Sequence, residues 1–202
     1  MTQRIIGLTG GIATGKTTVS DYLASIHHLP ILDADVYARE AVAVGSPILA
    51  ALSQRYGDNI LIDDGTLNRR QLGTIIFSNP TEKHWLEQQI HPFVRQRFTQ
   101  VGHDYPPTAT LVYAIPLLFE ANLTHLVSEI WVVSCSPTQQ QQRLMARNNL
   151  SLAEAEARIN NQLPLAEKIA QAHQVIDNSG NKADLYQQID DALSLDISQT
   201  SS

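Results

Sequence analysis

The chain has 202 residues, 43% hydrophobic and 17% charged, with a formal net charge of −6 and a single cysteine, Cys135. That length allows one α/β core with a small appended domain. The acidic balance argues against nucleic acid as a partner, because that binding depends on Lys and Arg neutralising phosphates. No run of about 18 apolar residues is present to cross a membrane. No room is left before the first strand for a signal peptide, and one thiol makes no internal disulfide, so a cytoplasmic protein is expected.

Arg4 to Thr9 reads as a short buried strand, and Thr17 to Ile26 as a helix with Val19, Tyr22, Leu23 and Ile26 on one face. Between them Gly10-Gly11-Ile12-Ala13-Thr14-Gly15-Lys16-Thr17 is a complete G-x-x-x-x-G-K-[ST] loop in the strand–loop–helix setting its chemistry needs. Loop amides and the unpaired N–H groups that open the helix converge on phosphate oxygens, with the helix dipole behind them. Lys16 adds positive charge at the β- and γ-phosphates, and the Thr17 hydroxyl is placed to ligate Mg2+. The implied ligand is a nucleoside triphosphate.

Leu29 to Leu32 is a brief second strand, expected one strand over from the first and ending at Asp33-Ala34-Asp35. A helix follows from Val36 to about Val44, and another from Pro47 to Tyr56 after the Gly45-Ser46 break. Residues 57–68 read as loop with a short hairpin turning at Asp63-Asp64-Gly65. Helices are predicted over Arg69–Phe77 and from Thr81 to about Gly102, the latter kinked or restarted at His91-Pro92. Thr110–Ile115 and Glu129–Ser134 are buried strands, and Thr138–Asn148 a helix. Ser151 caps a helix to Gln162, with Glu154 at the capping-box position. Leu165–Ala172 is helical, Gln174–Asp177 is a last strand, and Ala183–Leu195 a closing helix before a polar tail, Ser198–Ser202. This alternation predicts an α/β fold, a parallel sheet with helices on both faces. The core is 1–35, 107–144 and 171–197; about 36–106, helical only, is an inserted substrate-binding subdomain; about 145–170, polar and arginine-punctuated, is a lid.

Asp33, past a strand's carboxyl end, stands on the edge where open parallel sheets keep their ligand crevice. A carboxylate there orients or deprotonates an attacking hydroxyl, with Asp35 as the helix cap. Arg143 and Arg147, four apart on one helix, can stabilise charge spread over phosphoryl oxygens. Arg70, His91 and Arg95 either bind an anionic substrate or do no more than pack and solvate the insert. Asn181-Lys182-Ala183-Asp184 matches the guanine-reading N-K-x-D pattern, but its D-x-x-G partner is adjacent rather than far upstream, so it reads as a turn opening a helix. Strand 110–115 has no terminal Asp, which weakens a motor or switch ATPase and leaves Thr17, Asp33 and Glu120 as metal contacts.

Taken together, Thr9–Thr17, Asp33-Ala34-Asp35 with Arg39, Leu67–Arg70, Ile90-His91-Pro92 with Arg95, Pro116–Glu120, Arg143-Leu144 with Arg147, and Val175–Asn178 resemble the dephospho-CoA kinase family from residue 4 to about 195. The resemblance implies a three-layer P-loop nucleoside-kinase-like fold and ATP- and Mg2+-dependent phosphorylation of the ribose 3′-hydroxyl of dephospho-CoA. It implies that Gly10 to Thr18 hold the triphosphate, Asp33 handles the hydroxyl, and Arg70, His91 and Arg95 contact the acceptor. Lys16, Arg143 and Arg147 would act on the ATP phosphates, and Asn178 with Gly180 would lie by the adenine. Ala13-Thr14 replaces the more usual Gly-Ser, at positions that contribute mainly backbone. A small-molecule partner and a monomer or weak homo-oligomer are expected. The competing readings are a kinase for nucleoside monophosphates and a nucleotide-dependent switch without phosphotransfer.

Overall fold

The structure, a computed structural model, describes residues 3–195. The tail from Ser198 and the last two residues of the expected core lie outside the described residues. In chain order the first elements are β1 (Arg4–Gly10), α1 (Lys16–Ser25), β2 (Ile31–Asp33), α2 (Ala34–Glu40), α3 (Pro47–Tyr56), α4 (Arg69–Ser78) and α5 (Pro80–His103). There follow β3 (Thr110–Ala114), β4 (Glu129–Ser134), α6 (Pro137–Asn148), α7 (Leu152–Asn160), α8 (Leu165–Ile169), β5 (Gln174–Asp177) and α9 (Lys182–Ser194). The chain separates into two units, one drawn from the stretches up to Leu32 and from Tyr105 onward, the other from Asp33–Asp104.

The strands form one sheet in the order β2-β3-β1-β4-β5. β1 pairs in parallel with β3 (Ile6 opposite Val112) and with β4 (Leu8 opposite Trp131), and β4 with β5 (Val132 opposite Val175). β3 therefore lies between β1 and β2, where the sequence placed β2 one strand over from β1. A three-residue strand carries too little pattern to specify its neighbour. The chain goes to one side of β1 for β2 and β3 and to the other for β4 and β5. β1 thus stands where the order reverses, the position at which loops diverge and leave a ligand crevice beyond the carboxyl ends.

One face of the sheet is sealed by α1 and α9. Ile6, Leu8, Val112, Trp131, Val133 and Ile176 meet Val19 and Leu23 from α1 and Leu185, Ile189 and Ala192 from α9 in a single apolar cluster. Each such side chain contributes about 1.5–3 kcal/mol on leaving water. The buried Trp131 indole donates to Glu129 (2.9 Å), whose other oxygen accepts from Arg4 (2.5 Å). α9 begins as expected for a helix-opening turn: Asn181 is its N-cap and accepts the Asp184 N–H at 3.0 Å.

The helical unit has its own core of Val42, Leu49, Leu52, Ile60, Leu67, Leu72 and Leu86. Arg55 forks onto both oxygens of Glu82 (2.7 and 2.9 Å) and lies 4.5 Å over the Trp85 ring, and the Tyr56 hydroxyl donates to the same carboxylate. Arg55 first, then Tyr56, holds the Glu82 carboxyl down at about 2.

Several elements depart from the sequence reading. α5 does not restart at Pro92 but continues as one helix, with Leu86 buried on one side of the proline and Val94 and Phe98 on the other. The helix expected from Val36 begins at Ala34 and ends at Glu40, since Asp33, not Asp35, is its cap and accepts the Asp35 N–H at 2.7 Å. The hairpin contracts to one antiparallel bridge between Leu61 and Leu67, turned by Gly65 at φ 79°. α8 stops at Ile169 rather than Ala172.

Candidate active site

β1 ends at Gly10, and the phosphate loop runs from there to Gly15, the N-cap of α1. Two of its glycines are required by their surroundings. A Cβ on Gly10 would come 2.6 Å from the Val133 carbonyl oxygen and 2.7 Å from Thr14 Oγ1. Gly15 sits at φ 104°, and a Cβ there would collide with Asn178 Nδ2. Ala13 adopts φ 62°, the left-handed region, at a cost of about 1 kcal/mol that a glycine would avoid. Such strain is retained where the surrounding structure dictates the backbone.

The loop exposes what an anion needs. The amides of Ala13, Gly15, Lys16 and Thr17 find no acceptor among the described residues, and α1 has neither a capping side chain nor an acid in its first turn. No ion pair among the described residues engages Lys16. Uncapped amides, an uncommitted cation and the positive end of a helix dipole are the features a polyphosphate site needs.

Side chains from later in the chain hold the loop in shape. Asn178, just past β5, donates to the Thr14 carbonyl (2.8 Å). Arg143 on α6 donates to the Asn178 carbonyl (2.9 Å) and reaches the Thr14 carbonyl at 3.4 Å. The Ile12 peptide is gripped at both ends: Gln140 on α6 donates to its carbonyl (2.9 Å), and Gln162 accepts from its N–H (2.8 Å). The structure thus brings Arg143 and Asn178 to the loop. Arg147, one turn on, is exposed and donates to Asn148 (3.0 Å). Gly180 is exposed in the turn before α9.

Asp33, Arg70, His91 and Arg95 all belong to the helical unit. Asp33 closes β2, and its cap bond fixes the plane of its carboxylate. Arg70 lies in the first turn of α4, and His91 and Arg95 lie four apart on α5. Burial pushes the His91 pKa down; Glu87 opposes this and the Arg95 charge adds to it. The side chains of Arg70 and Arg95 are exposed, with no ion pair among the described residues. Glu120, expected as a metal contact, engages Lys168 (2.8 Å) and the Leu163 N–H (3.0 Å) through its Oε1.

Sequence reasoning missed Gln140, Gln162 and Lys168. Gln140 carries a faint signal, three residues before Arg143 on the same helical face. For Lys168, the acid of Pro116–Glu120 calls for a cation but does not say which, and Gln162 has no signal at all.

A sheet whose switch-point strand ends in this loop, with arginine and amide side chains closing on it, defines a P-loop kinase-type phosphotransferase. A profile of the dephospho-CoA kinase family matches residues 4–184. A dephospho-CoA kinase of Trichormus variabilis is 60% identical over 198 residues, 98% of this chain and 100% of that one. A Thermus thermophilus protein of known crystal structure superposes with a TM-score of 0.82 at 30% identity, covering 96% of this chain and 97% of its own. Dephospho-CoA kinase from Campylobacter jejuni gives 0.70 at 26% identity, with 94% of each chain covered. The chain belongs to the dephospho-CoA kinase family.

Proposed function

We propose that this chain transfers the γ-phosphate of ATP to the ribose 3′-hydroxyl of dephospho-CoA, giving coenzyme A and ADP, in one in-line displacement. The observation that carries the reading is the phosphate loop: uncapped amides and an unpaired Lys16 at the end of the switch-point strand. Little covalent chemistry falls to the protein in phosphoryl transfer, so the rate comes from positioning and from charge stabilisation.

Each residue then has a physical task. Gly10 to Thr18 cradle the triphosphate, and Lys16 neutralises charge that builds on the transferred group. Arg143, already turned toward the loop, and Arg147, one turn away, are the further cations for that charge. Asp33 accepts or orients the hydroxyl proton with a carboxylate whose plane the cap bond fixes. Among the described residues no three His, Cys, Asp or Glu side chains gather as a metal cage. The exposed Thr17 hydroxyl in the first turn of α1 suits Mg2+, which is commonly held by one or two side chains, substrate phosphates and water. When bound, Mg2+ supplies charge neutralisation across the β- and γ-phosphates.

Arg70, His91 and Arg95 are the groups for the anionic acceptor. Exposed cations without ion-pair partners are suited to its pyrophosphate. Asn178 and Gly180 would flank the adenine of ATP. Closure of 145–170 would exclude water and limit wasteful hydrolysis. Gln162 and Lys168 tie the end of that stretch to the loop, so the part that closes is the part before Gln162. No helix among the described residues is long and apolar enough to cross a membrane. A cytoplasmic setting, a monomer or weak homo-oligomer, and no nucleic-acid partner complete the reading.

ADP release by the purified chain, compared with dephospho-CoA, AMP and no acceptor, tests the assignment. Dephospho-CoA should raise release at least about 100-fold over the no-acceptor rate, the scale that correct alignment contributes. Stronger stimulation by AMP would replace dephospho-CoA with a nucleoside monophosphate. Equal rates in all three would favour a nucleotide-dependent switch.

A further inference from the structure

Lys168 is fully buried, although it sits on a five-residue helix in a polar stretch. Its Nζ lies 2.8 Å from Glu120 Oε1 and 3.4 Å from the carbonyl oxygens of both Gly10 and Pro116. An ammonium has three donors, and here it meets three acceptors. Those acceptors share a place in the fold. Gly10 ends β1 and starts the phosphate loop, and Pro116 lies two residues past the end of β3. β1 and β3 are paired neighbours, joined up to this point by the Ile115 N–H donating to the Leu8 carbonyl (2.9 Å). One side chain therefore clasps the carboxyl ends of two adjacent strands where their loops part. The clasp extends along the same stretch, because Glu120 also accepts the Leu163 N–H and Gln162 accepts the Ile12 N–H.

A charge taken out of water is costly unless paired and hydrogen-bonded, and packed apolar side chains often replace such pairs without loss of stability. Stability alone is thus a weak account of Lys168. We propose that Lys168 is a positioning residue for phosphoryl transfer. It fixes the Gly10 carbonyl, and with it the direction in which the phosphate loop leaves β1, and it couples that loop to the 162–168 stem of the lid. Glu120 is its counter-ion. This assigns a task to the Pro116–Glu120 segment, which no substrate contact explains. The inference rests on the phosphotransfer reading for its turnover arm only; the nucleotide-binding arm stands without an acceptor.

The test compares Lys168→Met, Lys168→Arg and Glu120→Gln with the unmodified chain, below each variant's unfolding midpoint. Lys168→Met should weaken a fluorescent ATP analogue about fivefold and lower kcat about 30-fold, with KM for dephospho-CoA within about twofold, since small misplacements of a reacting group cost up to about 100-fold. Lys168→Arg, which restores the charge and hydrogen-bond donors, should recover kcat to within about fivefold. A Lys168→Met protein whose analogue affinity and kcat both stay within about twofold overturns the proposal, whatever its unfolding midpoint. If that variant does not fold, Glu120→Gln decides. A kcat loss of about tenfold at unchanged KM for dephospho-CoA supports the clasp, and unmodified kcat overturns it. If the unmodified chain does not turn over dephospho-CoA, the function fails; analogue binding still judges Lys168, using Glu120→Gln in the same way.

Discussion

Asp33→Asn is expected to lower kcat about 1,000-fold while leaving the Kd for ATP within about threefold, the range lost when a positioned general base is removed. The substitution is clean because asparagine separates the observed cap from the proposed handling of the hydroxyl. As N-cap of α2, its carboxylate accepts the Asp35 N–H at 2.7 Å. An amide oxygen caps about as well, so the helix should persist. What asparagine cannot do is accept the hydroxyl proton. ATP affinity should hold, because the proposed ATP contacts are the amides of the phosphate loop and Lys16, not Asp33. Asp33→Ala should show the same kinetic loss and in addition lose the cap, worth about 1 kcal/mol. Steady-state kinetics, ATP titration calorimetry and denaturant midpoints on the two variants separate the roles. Turnover near that of the unmodified chain in Asp33→Asn would remove Asp33 from the chemistry.

Lys16→Met should be the other large effect, with kcat falling about 1,000-fold and ATP binding weakened about tenfold or more, as one charge-stabilising donor is removed. The structure adds a second expectation. Lys16 forms no ion pair among the described residues. Removing it leaves no carboxylate behind and creates no cavity, so the unfolding midpoint should stay within about 2 °C. A loss of activity matched by a drop in midpoint would mean that Lys16 shapes the loop rather than the transition state. Differential scanning calorimetry beside kinetics distinguishes the two.

These residues differ in how legible they were in the sequence. The phosphate loop could be read in full because it is contiguous: eight residues in register, a buried strand before and an amphipathic helix after. Arg143 was legible from its spacing with Arg147 on one helix and Asn178 through resemblance, and the structure gives both a physical reason, since both close on the Thr14 carbonyl. Lys168 and Gln162 had no such signal. Their partners, the Gly10 carbonyl and the Ile12 N–H, lie 158 and 150 residues away, and backbone groups leave no mark in sequence. Glu120 was read without its Lys168 partner, which could not be seen. Sheet order was legible only in part: alternation gave a parallel sheet, but a strand as short as β2 could not place β3 between itself and β1. At Pro92 the helix does not restart, and the buried Leu86, Val94 and Phe98 on either side hold both halves of α5.

The central claim is that the phosphoryl group passes directly from ATP held in the loop to the acceptor alcohol. Its most direct test is the stereochemical course of transfer from ATP made chiral at the γ-phosphorus with oxygen isotopes and sulfur, read on the 3′-phosphate of the product. A single in-line displacement predicts inversion at phosphorus. Retention would require a phosphorylated enzyme between two displacements and would contradict the account.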